Sequence, residues 1–249
     1  MLVPSFVFLV GLCVGSFLNV VLLRTRVGKS FVVGRSRCMA CDVALGPAEL
    51  VPVFSYVALR GRCRHCASPI SAQYPLVEFF TGILFLSCYF QGGGWATFAR
   101  DITFVAFLVI VFVYDLRYME ILDRFTLPAM AVALLFNVSL GMNPRSLVIG
   151  AAAVGGFFLV QYAISRGRWI GAGDIRMGFL MGFMLGFQQG LIALFLAYFF
   201  GAFVGVMLIM FKKADGKTQI PFGTFLSAAT VAALLFGDVI SSWYFGLVL

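Results

Sequence analysis

Apolar residues run through this chain in long stretches separated by short polar joints. A helix that crosses a bilayer needs about 20 predominantly apolar residues. That template predicts spans over residues 3–23, 74–90, 97–114, 125–140, 146–164, 175–187, 191–211 and 222–248. The sixth is short, and only Gln188, Gln189 and Gly190 mark its border with the seventh. About eight transmembrane helices is therefore the expectation, with seven as the alternative. The first stretch has no basic lead-in and no small-residue cleavage site, and it is as long as a full span, so it reads as a retained helix. One polar segment is much longer than a joint. Residues 24–73 are basic and rich in Cys and Pro, and they read as a small domain inserted between the first two helices. The expected organisation is a first helix at 1–23, a Cys-rich domain at 24–73 and a multi-helix membrane domain at 74–249.

Composition supports an all-α polytopic membrane protein. Of the 249 residues, 62% are hydrophobic and 11% charged, with a mean hydropathy of +1.03. A soluble domain carries about 25% charged residues. The net charge of +8 raises nucleic acid as a partner, but the distribution of the charge argues against it. Sixteen of the 18 Lys and Arg residues fall in segments 24–73, 115–124, 165–176 and 212–217. The other side of the membrane holds only Arg100 and Arg145. Under the positive-inside rule this places the basic segments in the cytoplasm and both termini outside. The lipid bilayer, not nucleic acid, accounts for the charge.

Within the Cys-rich segment, Cys38-Met39-Ala40-Cys41 and Cys63-Arg64-His65-Cys66 form two CxxC knuckles. Paired knuckles at this spacing suit a four-thiolate zinc site of the zinc-ribbon type. Two disulfides or four unliganded thiols are the other readings, and a reducing cytosol disfavours the disulfides. A closed four-cysteine site leaves no position for water, so the zinc is expected to be structural. His65 reads as a bystander, and Cys13 and Cys88 as packing residues inside spans.

The chain has only ten acidic residues. Asp42, Glu49, Asp101, Glu120, Asp215 and Asp238 read as solvated. Asp123 and Glu78 lie near the starts of spans. Asp115 ends the third span and Asp174 begins the sixth, within Gly171-Ala172-Gly173-Asp174, so both fall at the same membrane face. An ionisable group at the edge of the hydrocarbon is costly and points to function. Two close carboxyls resist ionising together, which allows one to act as general acid and the other as general base. Asp174 reads equally well as a helix cap. That reading is weaker for Asp115, at the unfavourable C-terminal end of its helix dipole.

Taken in order, these motifs resemble the type IV prepilin peptidases, a GxGD aspartyl protease family, nearly end to end. The stretch from Gly11 to Val21, with Gly15-Ser16-Phe17-Leu18-Asn19 at its centre, is similar to the family's first helix. Leu59 to Cys66 and Tyr74-Pro75-Leu76-Val77-Glu78 are similar to its Cys-rich insertion and the segment after it. Gly171 to Asp174 resembles the GxGD motif, and Ile220-Pro221-Phe222-Gly223 the final-helix signature. The chain departs from the family pattern at Thr25-Arg26, at Ile121-Leu122 before Asp123, and at Arg176, and none of these removes a carboxylate. The resemblance implies a bacterial inner-membrane enzyme whose substrates are prepilins or pseudopilins with a short basic leader and an apolar helix. It implies cleavage at the cytoplasmic face by Asp115 and Asp174, followed by N-methylation with S-adenosylmethionine. Glu78 is the candidate residue for the methyl donor, with an ion pair to a nearby Arg as its alternative. A transporter and a non-catalytic assembly factor are competing classes. A transporter would place its acids near mid-span, on broken helices in repeated halves.

Overall fold

The computed structural model describes residues 2–211 and 219–248. Asp215, Lys212, Lys213 and Lys217, assigned above to a cytoplasmic joint, lie outside the described residues. The fold is all-helical: α1 (Leu2–Arg26), a 3-10 turn (Pro47–Leu50), α2 (Phe54–Ala58), α3 (Gln73–Gln91), α4 (Gly94–Tyr118), α5 (Asp123–Ser139), α6 (Pro144–Ser165), α7 (Ala172–Met210) and α8 (Phe222–Val248). Among the described residues, β-structure is limited to two isolated bridges. Five helices, α1, α4, α6, α7 and α8, are long and apolar enough to cross a membrane. The other two long helices fall short. Helix α3 is diluted by Gln73, Tyr74 and Glu78, and α5 has 17 residues and begins on Asp123 and Arg124.

The chain forms two compact units, Met1–Gly92 and Gly93–Leu249. In the first, α1 packs on α3 through glycine. A Cβ added at Gly11 would lie 2.7 Å from Gly82 Cα, and one at Gly15 would lie 2.7 Å from Glu78 Cα. Small residues let helix backbones touch where lipid supplies no hydrophobic drive between helices. After α1, the Arg24 guanidinium donates to the carbonyls of Ser30, Val33, Gly34 and Arg35, at 2.8–3.2 Å, and gathers the chain leading into the Cys-rich segment.

In the second unit, α7 packs on α6 and α8, and α4 on α8 and α5. Phe104, Leu108, Phe158, Met177, Met181 and Leu226 lie in its buried core. Phe195, Phe199 and Phe203 form an exposed aromatic row along α7, as expected of a surface that faces acyl chains.

Helix α7 spans the two stretches expected as separate spans. Its 39 residues would reach about 58 Å, nearly twice a 30 Å hydrocarbon core. The break falls at Gly186 (φ 76°, ψ −169°), a few residues before the Gln-Gln-Gly expected to mark it. Only glycine adopts that backbone readily. The interruption frees backbone groups, and side chains from α5 and α6 take them up. Asn137 Nδ2 donates to the carbonyls of Phe183 (2.7 Å) and Met184 (3.0 Å), and Phe187 N–H donates to Ser146 Oγ (3.3 Å). Arg100 Nη1 donates in turn to Asn137 Oδ1 (3.4 Å). Asp101, read from the sequence as solvated, is only 4% exposed and forms a 2.8 Å ion pair with Arg100. The adjacent arginine compensates its burial.

Candidate active site

Asp115 lies in the last turn of α4, yet its carboxylate faces the first turn of α8. Its Oδ2 accepts the backbone N–H of Thr224 at 2.7 Å and the Thr224 hydroxyl at 3.1 Å. The N-terminal N–H groups of α8 are unpaired within the helix and favour an anion there. The dipole of α8 thus offsets the unfavourable dipole end of α4. The approach depends on Gly223, where a Cβ would lie 2.9 Å from both Asp115 Cγ and Oδ2.

Asp174 lies in the first turn of α7. Its Oδ2 accepts the Gly171 N–H at 2.9 Å, and its own N–H donates to the Gly171 carbonyl at 3.2 Å. The capping role considered from the sequence is therefore present, and it occupies one carboxylate oxygen.

The two acids converge on Ile121. A Cβ at Gly173 would lie 2.9 Å from Ile121 Cβ, and one at Gly223 would lie 2.7 Å from Ile121 Cδ1. The Gly173–Asp174 turn and the Asp115–Gly223 contact therefore border the same side chain. Both acids are buried, at 4% and 8% exposure. Among the described residues no cation pairs with either. The nearby basic residue Arg176 is engaged elsewhere, in an ion pair with Asp123 at the start of α5. Behind the pair, the Tyr198 hydroxyl and the Gln161 amide bond each other at 2.9 and 3.1 Å, and the Tyr198 ring meets Phe222 at 5.0 Å.

Sequence reasoning assigns no individual role to Thr224, Gly223 or Ile121. Position 224 directly follows the Ile220–Gly223 signature at a helix start, which marks it as a cap position. Its partner, 109 positions away, leaves no local trace.

In the first unit, the sulfurs of Cys38, Cys41, Cys63 and Cys66 all lie within 4.8 Å of one another, with Cys38 and Cys66 at 3.9 Å. A tetrahedral site with metal–sulfur bonds of about 2.3 Å has sulfur–sulfur edges of about 3.8 Å, so the cluster fits a metal ion. The two knuckles repeat one backbone pattern. Cys38 N–H donates to Val43 O while Asp42 N–H donates to Cys38 O, and Cys63 N–H donates to Ser68 O while Ala67 N–H donates to Cys63 O. Backbone N–H groups of Cys41 and Ala40 pull the Cys38 thiol down to about 6, and the Ser68 hydroxyl and N–H lower that of Cys66. Both shifts favour the thiolate, the form that ligates metal, while desolvation and the neighbouring Cys38 and Cys66 sulfurs push the Cys41 thiol up to about 11. Glu49, expected to be solvated, accepts the Gly46 N–H at 2.8 Å and lies 3.4 Å from His65 Nε2. The Gly46 N–H holds its carboxyl below the usual carboxylate range, with His65 adding to the effect.

Glu78 does not reach this cluster. It is buried, and its Oε2 accepts the N–H of Val53 at 2.7 Å. Val53 has φ 61°, a costly conformation for a β-branched residue. The Glu78 contacts are with this N–H and the Ser16 hydroxyl, so the expected alternative of an ion pair to Arg is not what the structure holds.

Fold and site together define a polytopic membrane protein with two buried acids, neither paired with a cation among the described residues, in one unit and a four-thiol cluster in the other. The chain belongs to the type IV leader peptidase family: residues 102–206 match that family, and residues 9–91 match the bacterial peptidase A24 N-terminal domain. Relatives named prepilin leader peptidase/N-methyltransferase include one from Aeromonas hydrophila, 33% identical over 96% of this chain and 93% of the relative. Another, from Bacillus subtilis (strain 168), is 33% identical over 96% of this chain and 97% of the relative. A third, from Myxococcus xanthus (strain DK1622), is 38% identical over 68% of this chain and 52% of the relative. No solved structure matches the chain.

Proposed function

We propose that this chain removes the short basic leader from prepilins or pseudopilins with an Asp115/Asp174 dyad, and then N-methylates the exposed amine. The observation that supports the peptidase half is that two buried acids, each held by neutral donors, lie in segments that both border Ile121. The protonated member of such a pair gives its proton to the leaving amine, while the ionised member takes one from the attacking water. The glycines at 171 and 173 leave room for substrate backbone beside Asp174. The positive-inside distribution supports a dyad and a Cys-rich segment at the cytoplasmic face of the inner membrane, with both termini outside.

We assign a structural zinc ion to Cys38, Cys41, Cys63 and Cys66. The methyltransferase half rests on the names of the relatives. S-adenosylmethionine, when bound, would supply the methyl group from a cationic sulfonium. Glu78 is the buried acid of the first unit that would complement that charge, while its bond to Val53 also ties the Cys-rich segment to α3.

The test is the intact mass of a prepilin incubated with membranes holding the chain, with and without S-adenosylmethionine. Wild type should remove the leader, and Asp115→Asn and Asp174→Asn should not. Cleavage that survives both substitutions would show the dyad to be misassigned. Glu78→Gln should retain cleavage and lose the added methyl mass. Elemental analysis should find one zinc per chain in wild type and none in Cys38→Ser.

A further inference from the structure

Helix α7 doubles back at Gly186. A Cβ at Gly190 would lie 3.8 Å from Gly182 Cα, whereas eight residues of unbroken helix would separate the two by about 12 Å. Asp174 lies 12 residues before the turn and Tyr198 lies 12 residues after it. The two arms therefore bring Tyr198 to the level of Asp174. Helix α6 runs antiparallel to the first arm. A Cβ at Gly182 would meet the Ala151 backbone, and one at Gly178 would lie 3.0 Å from Gly155 Cα. One turn further in that register, residue 159 comes level with Asp174, and Gln161 lies about 3 Å beyond it along the axis.

Tyr198 and Gln161 meet at this level. The hydroxyl and the amide bond each other at 2.9 and 3.1 Å. The Tyr198 ring sits among Phe157 (5.6 Å), Phe158 (6.2 Å) and Phe222 (5.0 Å). Phe158 also borders Gly178, one turn past Asp174, and Phe222 directly precedes Gly223, which lies against Asp115. A hydroxyl in an aromatic setting thus adjoins the elements that carry both acids. Tyr198 is half-buried, so it is not sealed inside the core.

The proposed peptidase chemistry needs one more donor. The water oxygen bonds to the scissile carbonyl carbon, its proton passes to the ionised carboxylate, and the C=O electron pair moves onto oxygen. The C=O bond re-forms as the C–N bond breaks and the protonated carboxyl gives its proton to nitrogen. Between these steps the oxygen carries negative charge, and a donor aimed at it lowers the barrier. The Thr224 N–H and hydroxyl are committed to Asp115, and the Gly171 N–H to Asp174. We infer that the Tyr198 hydroxyl is that donor, turning from the Gln161 amide to the scissile carbonyl oxygen when substrate is bound. Its own proton stays on it throughout. Gln161 is its positioning residue. The inference rests on the proposed peptidase function and adds a catalytic residue to it.

The test uses the full chain in proteoliposomes with a membrane-inserted prepilin. Tyr198→Phe keeps the ring and removes only the hydroxyl. It should lower kcat about 10²-fold, the usual effect of losing one oxyanion donor, with KM and the unfolding midpoint little changed, as for an interaction made only in the transition state. Gln161→Met should lower kcat about tenfold, and should lower it no further in the Tyr198→Phe background, because Gln161 acts through the hydroxyl. Phe199→Leu, at an exposed neighbour on α7, should leave both constants unchanged. Wild type that fails to cut would overturn the peptidase reading itself. Wild type that cuts, with kcat per folded molecule unchanged in Tyr198→Phe, would overturn the donor and leave the dyad standing. A lower unfolding midpoint at unchanged kcat would do the same, since a mere polar tie between α6 and α7 gives that result.

Discussion

Asp101 and Asp115 sit on one helix, 14 residues apart and so about 21 Å along its axis. Both are buried, yet they are held in opposite ways. Asp101 is charge-matched. Arg100 pairs with it at 2.8 Å, reaches Asn137 and lies 5.9 Å from the centre of the Phe104 ring, and this assembly carries the broken backbone at Gly186. Asp115 has no cation. It is held by an N–H and a hydroxyl from a helix start, and its contact with Gly223 borders the same Ile121 side chain as the Asp174 turn. A buried ion pair is a structural element, and breaking it is costly. A buried acid steadied by neutral donors beside another acid is free to exchange a proton. Burial alone therefore does not separate the acids of this membrane domain; the lack of a compensating cation is what sets the candidate residues Asp115 and Asp174 apart from Asp101.

The sharpest way to break this comparison is to neutralise each acid in turn. Asp115→Asn and Asp174→Asn should each lower the cleavage rate by about 10²–10⁴-fold, the usual reach of general acid–base catalysis, with thermal unfolding in detergent little changed. Asp101→Asn should do the reverse. It leaves Arg100 uncompensated and should destabilise by about 1–3 kcal/mol, less than a fully buried pair because Arg100 keeps some exposure, while the rate per folded molecule is retained. The double variant Arg100→Gln with Asp101→Asn should recover much of that loss. If Asp101→Asn instead abolished cleavage at normal stability, the division between the two acids would fail.

A smaller effect separates placing the acid from possessing it. Gly223→Ala puts a Cβ 2.9 Å from the Asp115 carboxylate, so the acid must move. A displacement of this size costs up to about 10²-fold in rate, and it should appear in kcat rather than KM. The counterpart at the other level is Asn137→Leu, which strips the Phe183 and Met184 carbonyls of their donor. Unsatisfied buried groups cost about 1–3 kcal/mol, although membrane measurements average nearer about 0.6 kcal/mol. The expected readout is a lower unfolding midpoint with unchanged kinetics.

Much of this contrast is legible in the sequence, and the parts that are not share one cause. Long apolar runs locate the helices because bilayer thickness sets their length. The two knuckles locate the four-thiol cluster because the two cysteines of each are local in sequence. Asp115 and Asp174 stand out because acids are rare in such a chain. Asp101 reads as solvated and is not: its neighbour Arg100 is visible, but the depth of both depends on how α4, α5 and α6 pack. Asn137 draws no notice, although an amide inside an apolar span is itself a signal that a backbone group elsewhere needs a partner. The break at Gly186 is expected a few residues too late, because glycines are frequent in this stretch and only φ identifies the one that turns. Each of these gaps concerns a long-range partner or a local backbone angle, and hydropathy carries no information about either.

The smallest expected effect tests whether charge pairing near the dyad has any part in the chemistry. Arg176 lies two residues beyond Asp174 and pairs with Asp123, at the start of α5. Were Arg176 instead a counter-ion for the dyad, Asp115 and Asp174 would resemble Asp101, and the comparison would collapse. Asp123→Asn releases the guanidinium without touching either buried carboxyl. An exposed pair of this kind contributes about 0–1 kcal/mol, so the unfolding midpoint should barely move and the pH profile of cleavage should keep its shape. A shift of the profile toward lower pH in Asp123→Asn would mean that the freed cation had reached the dyad and stabilised its ionised form. Coupling of that kind would make the Asp123–Arg176 pair part of the catalytic electrostatics, holding a cation away from two acids that must share a proton.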